Sequence, residues 1–331
     1  MSPTALVLAE VDAELEASVT AGLKEVETLL AEAVKSDDEL VGPASRHLVA
    51  AGGKRFRPLL ALVAGHFGDP NSLGVIRAAA VVELTHVATL YHDDVMDEAL
   101  VRRGAPSANA RWGNSVAILT GDFLFARASQ IAAELGTESV RLQAKTFERL
   151  VQGQLRETSG PRPGEDPVAH YLGVLADKTA SLISTSARLG AMHAGAHDEV
   201  VDVLARYGER IGMAFQLADD LLDIVSDSTI SGKLPGTDLR EGVATLPALY
   251  VRQSADPADT RLRELLSGPI TEDDAHAEAL DLLRVHPALD RARREVQRWA
   301  DDARSVLAPL PAVPARRALE AVCDAAVSRA A

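Results

Sequence analysis

The chain has 331 residues and a formal charge of −14 at pH 7, which excludes sequence-independent binding to nucleic-acid phosphates and leaves room for one large domain or two small ones. Its hydrophobic content is 47% with only 4% aromatics, mostly Ala, Leu and Val, which favours packed helices over sheets. Cys323 is the single cysteine, so an intrachain disulfide and a cysteine-built metal site are both excluded.

In chain order, residues 1–10 carry no basic stretch followed by an apolar core, and no uninterrupted apolar run approaches the ~20 residues of a bilayer span. A cytoplasmic protein without stable membrane insertion is expected. Periodicity predicts helices over 6–34, 56–67, 73–97, 107–135, 138–158, 167–195 and 198–226, with no alternating run that reads as a strand. Breakers at Gly52-Gly53, Gly68 to Pro70, Gly104 to Pro106 and Gly160 to Gly164 separate them. Residues 227–242, rich in Ser, Gly, Thr and Pro, read as a loop and a candidate lid. Shorter helices fill 246–331, with joints at Pro269, Pro287 and Pro309 to Pro314. No linker divides the chain, so a single all-α domain over 1–331 is expected.

Two predicted helices end in the same pattern: Asp93-Asp94-Val95-Met96-Asp97 and Asp219-Asp220-Leu221-Leu222-Asp223. At this DDxxD spacing the first and last carboxylates lie about one turn apart on one face. Each cluster follows an apolar run, so its charges sit late in a helix. There they oppose the macrodipole and repel one another. A cation relieves both penalties, and Mg²⁺ carrying a diphosphate suits oxygen-only ligands. Thr271-Glu272-Asp273-Asp274 is a useful contrast, since it opens a predicted helix, where acids complement the dipole and Thr can cap.

Basic residues are locally concentrated in this acidic chain. Gly52-Gly53-Lys54-Arg55-Phe56-Arg57-Pro58 gathers cations where a turn meets a helix start, and Arg102-Arg103 follows Asp97 closely. Lys178-Thr179 lies in a small, apolar helical stretch, and Lys233 in the candidate lid. This inventory fits two diphosphate sites, one held through metal and aspartates, the other through Lys54, Arg57 and Arg103 without metal. His86, about two turns before Asp93, can add a donor to the second.

These stretches resemble the trans-isoprenyl diphosphate synthases. The resemblance is carried by GGKRFRP at 52–58, HDDVMDEALVRRG at 92–104, Gly121-Asp122, KTASLI at 178–183, FQLADDLLD at 215–223 and GKLPGTDLREG at 232–242. It implies an all-α helical bundle of the isoprenoid synthase type around a deep central cavity. It also implies head-to-tail (1'-4) condensation of isopentenyl diphosphate with an allylic diphosphate, usually by a homodimer. By motif, Asp93, Asp97 and Asp219 would ligate Mg²⁺, about three ions per active site with Mn²⁺ able to substitute. Asp94, Asp220 and Asp223 would support them. Lys54, Arg57, His86 and Arg103 would hold isopentenyl diphosphate, and Arg102, Lys178, Thr179, Gln216 and Lys233 the allylic diphosphate. Phe215 either offers its ring to the allylic cation or packs in the core. Val243 departs from the pattern, standing where many members carry a Lys.

Product length is read from the helix below Asp93. Thr89 and Ala88 stand where short-chain members place an aromatic floor, and Thr85, Val82 and Ala78 continue down the same face. At 1.5 Å per residue this is roughly 22 Å of channel wall, which favours a C30 to C50 product. A short-chain farnesyl or geranylgeranyl diphosphate synthase is the alternative, with Phe123 or Phe125 closing the pocket. A non-catalytic partner subunit of a heteromeric synthase fits less well, because both aspartate clusters are complete. A terpene cyclase would lack the second DDxxD, and an HD-type phosphohydrolase would need more than His92-Asp93.

Overall fold

The computed structural model describes residues 11–226 and 235–330. Most of them are helical, as composition predicts. By their packing they form two compact units. The first comprises residues up to Arg149 together with Ser181–Gly208 and Pro309–Ala321, and the second the remainder.

The first unit opens with α1 (Ala13–Ala33), whose N-cap Asp12 accepts from the amides of Glu14 and Leu15. Next come α2 (Val41–Ala50), α3 (Phe56–Gly65) and α4 (Leu73–Met96). The α2 helix was not foreseen. A two-stranded hairpin, β1 (Val101–Arg102) and β2 (Ala105–Pro106), leads to α5 (Ala108–Trp112), α6 (Asn114–Glu134) and the start of α7 (Thr137–Ser159). The expected single helix over 107–135 is broken at Gly113, whose φ of 85° ends α5 and begins α6.

Helix α4 is the axis of this unit, packing on α1, α3 and α6. From Ala78 to Thr85 every residue is buried, as expected of a helix apolar on all sides. By length and composition α4 and α6 could each cross a bilayer, but α4 spends that apolar surface inside the protein.

The second unit contains the end of α7, then α8 (Pro167–Leu175), capped by Asp166. At Ala176–Ala180 the chain winds into a π-turn before α9 (Ser181–His193), which returns to the first unit. The predicted helix over 167–195 thus holds a wide turn at Lys178. Helix α10 (Asp198–Val225) begins in the first unit and ends in the second. There Leu217, Ala218, Leu221 and Ile224 are buried in the second unit's core, leaving Gln216, Asp219, Asp220 and Asp223 on the other face.

Of the predicted loop, residues 227–234 lie outside the described residues, and Lys233 with them. Its later part is not loop but a short helix, α11 (Thr237–Glu241). Helices α12 (Leu246–Arg252), α13 (Thr260–Leu265), α14 (Asp273–Val285), α15 (Pro287–Val306) and α16 (Pro314–Ala330) follow. Helix α14 starts with Asp273 and Asp274, as dipole compensation predicts, but Glu272 rather than Thr271 occupies the N-cap position.

Candidate active site

In the first unit, one stripe of α4 carries His86, Thr89 and Asp93, all partly accessible, and ends at exposed Met96 and Asp97. The spacing of three and four residues keeps them on one face. Asp97 is the C-cap, its amide donating to Asp93 O at 2.8 Å. Both carboxylates therefore stand at the negative end of the helix dipole, where a cation is favourable. Asp94 points elsewhere. It is fully buried and accepts from Arg102 Nε at 2.5 Å. Burial pushes its carboxyl above the usual range despite that guanidinium.

The β1–β2 hairpin is what brings Arg102 back to Asp94. Val101 pairs with Pro106 and Arg102 with Ala105, so Arg103 and Gly104 form a two-residue loop with φ of 54° and 75°. Positive φ at both positions is the type I′ requirement. It explains the glycine and turns Arg103 toward α2, where its Nη1 donates to Leu48 O at 2.7 Å.

The basic cluster before α3 divides by role. Arg55, with φ 48°, directs its guanidinium inward to Glu27 at 2.5 Å, to Glu83 at 2.6 Å and to Val49 O. Lys54 is exposed and Arg57 partly exposed. Burial, then the charges of Arg57, Arg103, Arg55 and Arg102, push His86 well below the ordinary imidazole value. The structure therefore gathers His86, Arg57 and Arg103 in one positive neighbourhood. The neutral imidazole keeps one N–H donor there.

Next to Asp93, His92 lies within 3.0 Å of Ile118 O and 3.4 Å of Asp122. A methyl on Gly121 would fall 2.4 Å from its Nε2, so this glycine permits the approach of α4 to α6.

The product-length candidates separate by exposure. Thr89 is accessible and its hydroxyl donates to His86 O at 2.8 Å. Ala88, Thr85, Val82 and Ala78 are each at most 1% exposed, so no water-sized space opens beside them. The expected 22 Å channel wall is therefore not open in this structure. The accessible stripe stops at His86, about 10 Å from Asp93 along the helix.

In the second unit, each aspartate of the second cluster has a protein partner. Asp219 accepts from Arg329 of α16, whose guanidinium also lies 4.9 Å over the Phe215 ring. Phe215 thus does offer its face to a cation, one of the protein's own. Asp220 accepts from the Tyr171 hydroxyl and from Gln216 Nε2 at 2.9 Å. Burial pushes it up to about 7, the two hydrogen bonds opposing. Asp223 Oδ2 accepts from the Asp238 amide at 3.1 Å, and its carbonyl from Gly236. Lys178, in the π-turn, pairs with Glu157, and Thr179 Oγ1 donates to Gln216 Oε1 at 3.1 Å. Val243 is exposed and brings no charge.

Sequence reasoning missed Glu83, Glu157, Tyr171 and Arg329. Nothing local marks them, since their partners are between 21 and 110 residues away. Among the described residues no group of three carboxylate, His or Cys side chains is preassembled for a metal. The donor chemistry nevertheless fits Mg²⁺. Asp93 with Asp97 offers a pair of hard oxygens one turn apart, and Asp219 another. Mg²⁺ keeps several waters and takes phosphate oxygens for the rest of its shell.

An all-α protein with two aspartate clusters and a separate arginine–histidine cluster is what a diphosphate-handling enzyme requires. The family model described as polyprenyl synthetase matches residues 38–283. Among relatives, a nonaprenyl diphosphate synthase of Mycobacterium tuberculosis is 52% identical over 96% of this chain and 95% of its own length. A geranylgeranyl pyrophosphate synthase from Corynebacterium glutamicum, solved with calcium and isoprenyl diphosphate, is 47% identical. It superposes with a TM-score of 0.86, covering 96% of this chain and 98% of its own. A decaprenyl diphosphate synthase from Rhodobacter capsulatus superposes equally well, TM-score 0.86, at 33% identity over 96% of this chain and 99% of its own. The chain belongs to the polyprenyl synthetase family, has the isoprenoid synthase fold and is a prenyl-transferring enzyme.

Proposed function

We propose that this protein is a Mg²⁺-dependent all-trans polyprenyl diphosphate synthase, adding isopentenyl diphosphate head to tail onto an allylic diphosphate and releasing a long product. The carrying observation is that each unit presents accessible aspartates of its cluster, Asp93 and Asp97 on α4 and Asp219 on α10, while the first also holds a distinct positive cluster around His86. One substrate diphosphate needs metal and the other does not.

Asp93, Asp97 and Asp219 would hold Mg²⁺, which would supply charge neutralisation on the allylic diphosphate. Arg102, Lys178, Thr179, Gln216 and Lys233 bind the same group. The positive charges of Arg102, Lys178 and Lys233, with hydrogen bonds from Thr179 and Gln216, stabilise pyrophosphate as the allylic C–O bond breaks. Lys54, Arg57 and Arg103 clamp isopentenyl diphosphate, with neutral His86 as a further donor, and hold its alkene toward the allylic carbon. The alkene attacks, and the proton then lost goes to the departing pyrophosphate, which is why no separate base is needed. Exclusion of water protects the cation.

A long product is supported by the small, accessible Thr89 below Asp93 and by the nonaprenyl and decaprenyl synthases among the relatives. One observation favours a shorter, geranylgeranyl-length product: the burial of Ala88, Thr85 and Val82. Purified protein incubated with Mg²⁺, labelled isopentenyl diphosphate and each allylic primer decides between them. Products of C30 or longer support the first reading and C20 the second. Absence of elongation removes both.

A homodimer is part of this proposal. Helices α6 and α7 leave Ile118, Leu119, Val140, Val151 and Leu155 exposed, apolar surface of the kind a second copy covers.

A further inference from the structure

In the second unit, the residues that face the second aspartate cluster are linked by one chain of hydrogen bonds. The Tyr171 hydroxyl donates to Asp220 Oδ2, and Gln216 Nε2 donates to Asp220 Oδ1 at 2.9 Å. The Gln216 carbonyl oxygen accepts from Thr179 Oγ1 at 3.1 Å. Thr179 belongs to the π-turn that also presents Lys178. Both oxygens of Asp220 are thus committed to protein donors. Its neighbours Asp219 and Asp223 hold other partners, Arg329 and the Asp238 amide.

Orientation passes along this chain. Gln216 has an amide whose two ends are chemically different. With Nε2 directed to Asp220, its Oε1 must face the π-turn, where only a donor is acceptable. Thr179 supplies that donor. If Asp220 lost its fixed direction, the amide could invert and present Nε2 to Thr179 instead. The π-turn would lose its anchor to α10. Wide turns of this kind inside helices recur at functional sites. This one is held to α7 by Lys178–Glu157 and Asp177–Arg156, and Thr179 joins it to α10 through the Tyr171–Asp220–Gln216 link.

We infer that Tyr171 is a positioning residue for the allylic diphosphate site: by holding Asp220 it fixes Gln216 and Thr179 and so registers the Lys178 turn against the second aspartate cluster. The inference rests on the proposed prenyl transfer. The isopentenyl diphosphate cluster of His86, Arg57 and Arg103 takes no part in this chain of bonds, so the effect of breaking it is selective.

The test is Tyr171→Phe, which removes one hydroxyl and keeps the ring. Leaving a carboxylate oxygen without its donor is expected to raise KM for the allylic diphosphate about tenfold, and the Mg²⁺ half-saturation with it. KM for isopentenyl diphosphate stays within about twofold. Calorimetric titration with Mg²⁺ and a non-ionising allylic thiolodiphosphate gives the same weakening without turnover. If Tyr171→Phe does not fold, 3-fluorotyrosine introduced at 171 replaces it, and a smaller shift confined to the allylic substrate is expected. Equal changes in both KM values, or no change in either, overturn the inference. Elongation by the unaltered enzyme in the same assay tests the proposed function separately.

Discussion

Lys54, Arg55 and Arg57 are neighbours in sequence but meet different surroundings. Arg55 is locked between Glu27 and Glu83, and Glu83 is only 2% exposed. Removing one partner of a buried pair leaves an uncompensated charge, typically at about 3–5 kcal/mol. Arg55→Ala is therefore expected to lower stability by that order in urea denaturation, and a loss below about 1 kcal/mol would contradict the assignment. Lys54→Ala should leave stability nearly untouched and raise KM for isopentenyl diphosphate. His86 supplies a pH prediction. Its folded value lies below the 6.5 of a free imidazole, chiefly through burial and then through Arg57 and Arg103. Below about 6.5 the unfolded chain binds a proton that the folded chain refuses, so stability falls with acidification through this window. Urea midpoints at about pH 7 and about pH 5.5 should drop further for the parent than for His86→Gln. Equal drops would show that this histidine is not held neutral.

Helix α4 joins these residues to the aspartates, and its two faces predict opposite mutant behaviour. Thr89 lies on the accessible stripe and Ala88 inside the packed core. Thr89→Phe should shorten the products made from farnesyl diphosphate with little loss of stability. Ala88→Phe should instead overpack the interior and destabilise by about 1–3 kcal/mol. Product sizing beside thermal melts separates the two, and unchanged product length in Thr89→Phe would remove Thr89 as a floor. The extent of α4 was legible because its apolar content runs over 24 residues between the breakers at Gly68 to Pro70 and at Gly104 to Pro106, and Ser72 caps it through the Gly74 amide. The aspartate clusters were legible too, because spacing alone puts Asp93 and Asp97 on one face. What spacing could not reveal was which carboxylates are committed to protein donors. Asp94 and Asp220 each follow a more accessible aspartate, and their carboxylates are taken up by Arg102 and Tyr171, which arrive from other elements. Nor could it distinguish Ala88 from Thr89, because an α4 face becomes interior only through what packs on it. The break at Gly113 and the π-turn at Lys178 escaped for a related reason. Each is a local deviation within otherwise unbroken helical periodicity.

At the scale of the molecule, apolar surface and charge each make a prediction. If α6 pairs with its copy, Leu119→Asp, which puts a charge on a side chain 65% exposed in the single chain, should yield monomers in light scattering while helical content is kept. A dimer unaffected by this change would move the interface elsewhere. The carboxylates decide how the protein responds to loss of metal. Asp94 is held by Arg102, Asp219 by Arg329, Asp220 by Tyr171 and Gln216, and Asp223 by the Asp238 amide. With these four aspartates already held inside the chain, the fold is expected to stand without a bound ion, in contrast to metal-folded domains. Chelation should therefore abolish prenyl transfer and leave the far-ultraviolet circular dichroism and the melting midpoint close to those of the untreated protein. Adding Mg²⁺ with pyrophosphate should then raise the midpoint, because a ligand at about 100 times its Kd stabilises by about 2.7 kcal/mol. Mg²⁺ without pyrophosphate should raise it much less, since Arg329 already occupies Asp219 and a metal there must displace it. Unfolding on chelation, or a full shift with Mg²⁺ alone, would mean that the aspartates are organised by metal rather than by their protein partners.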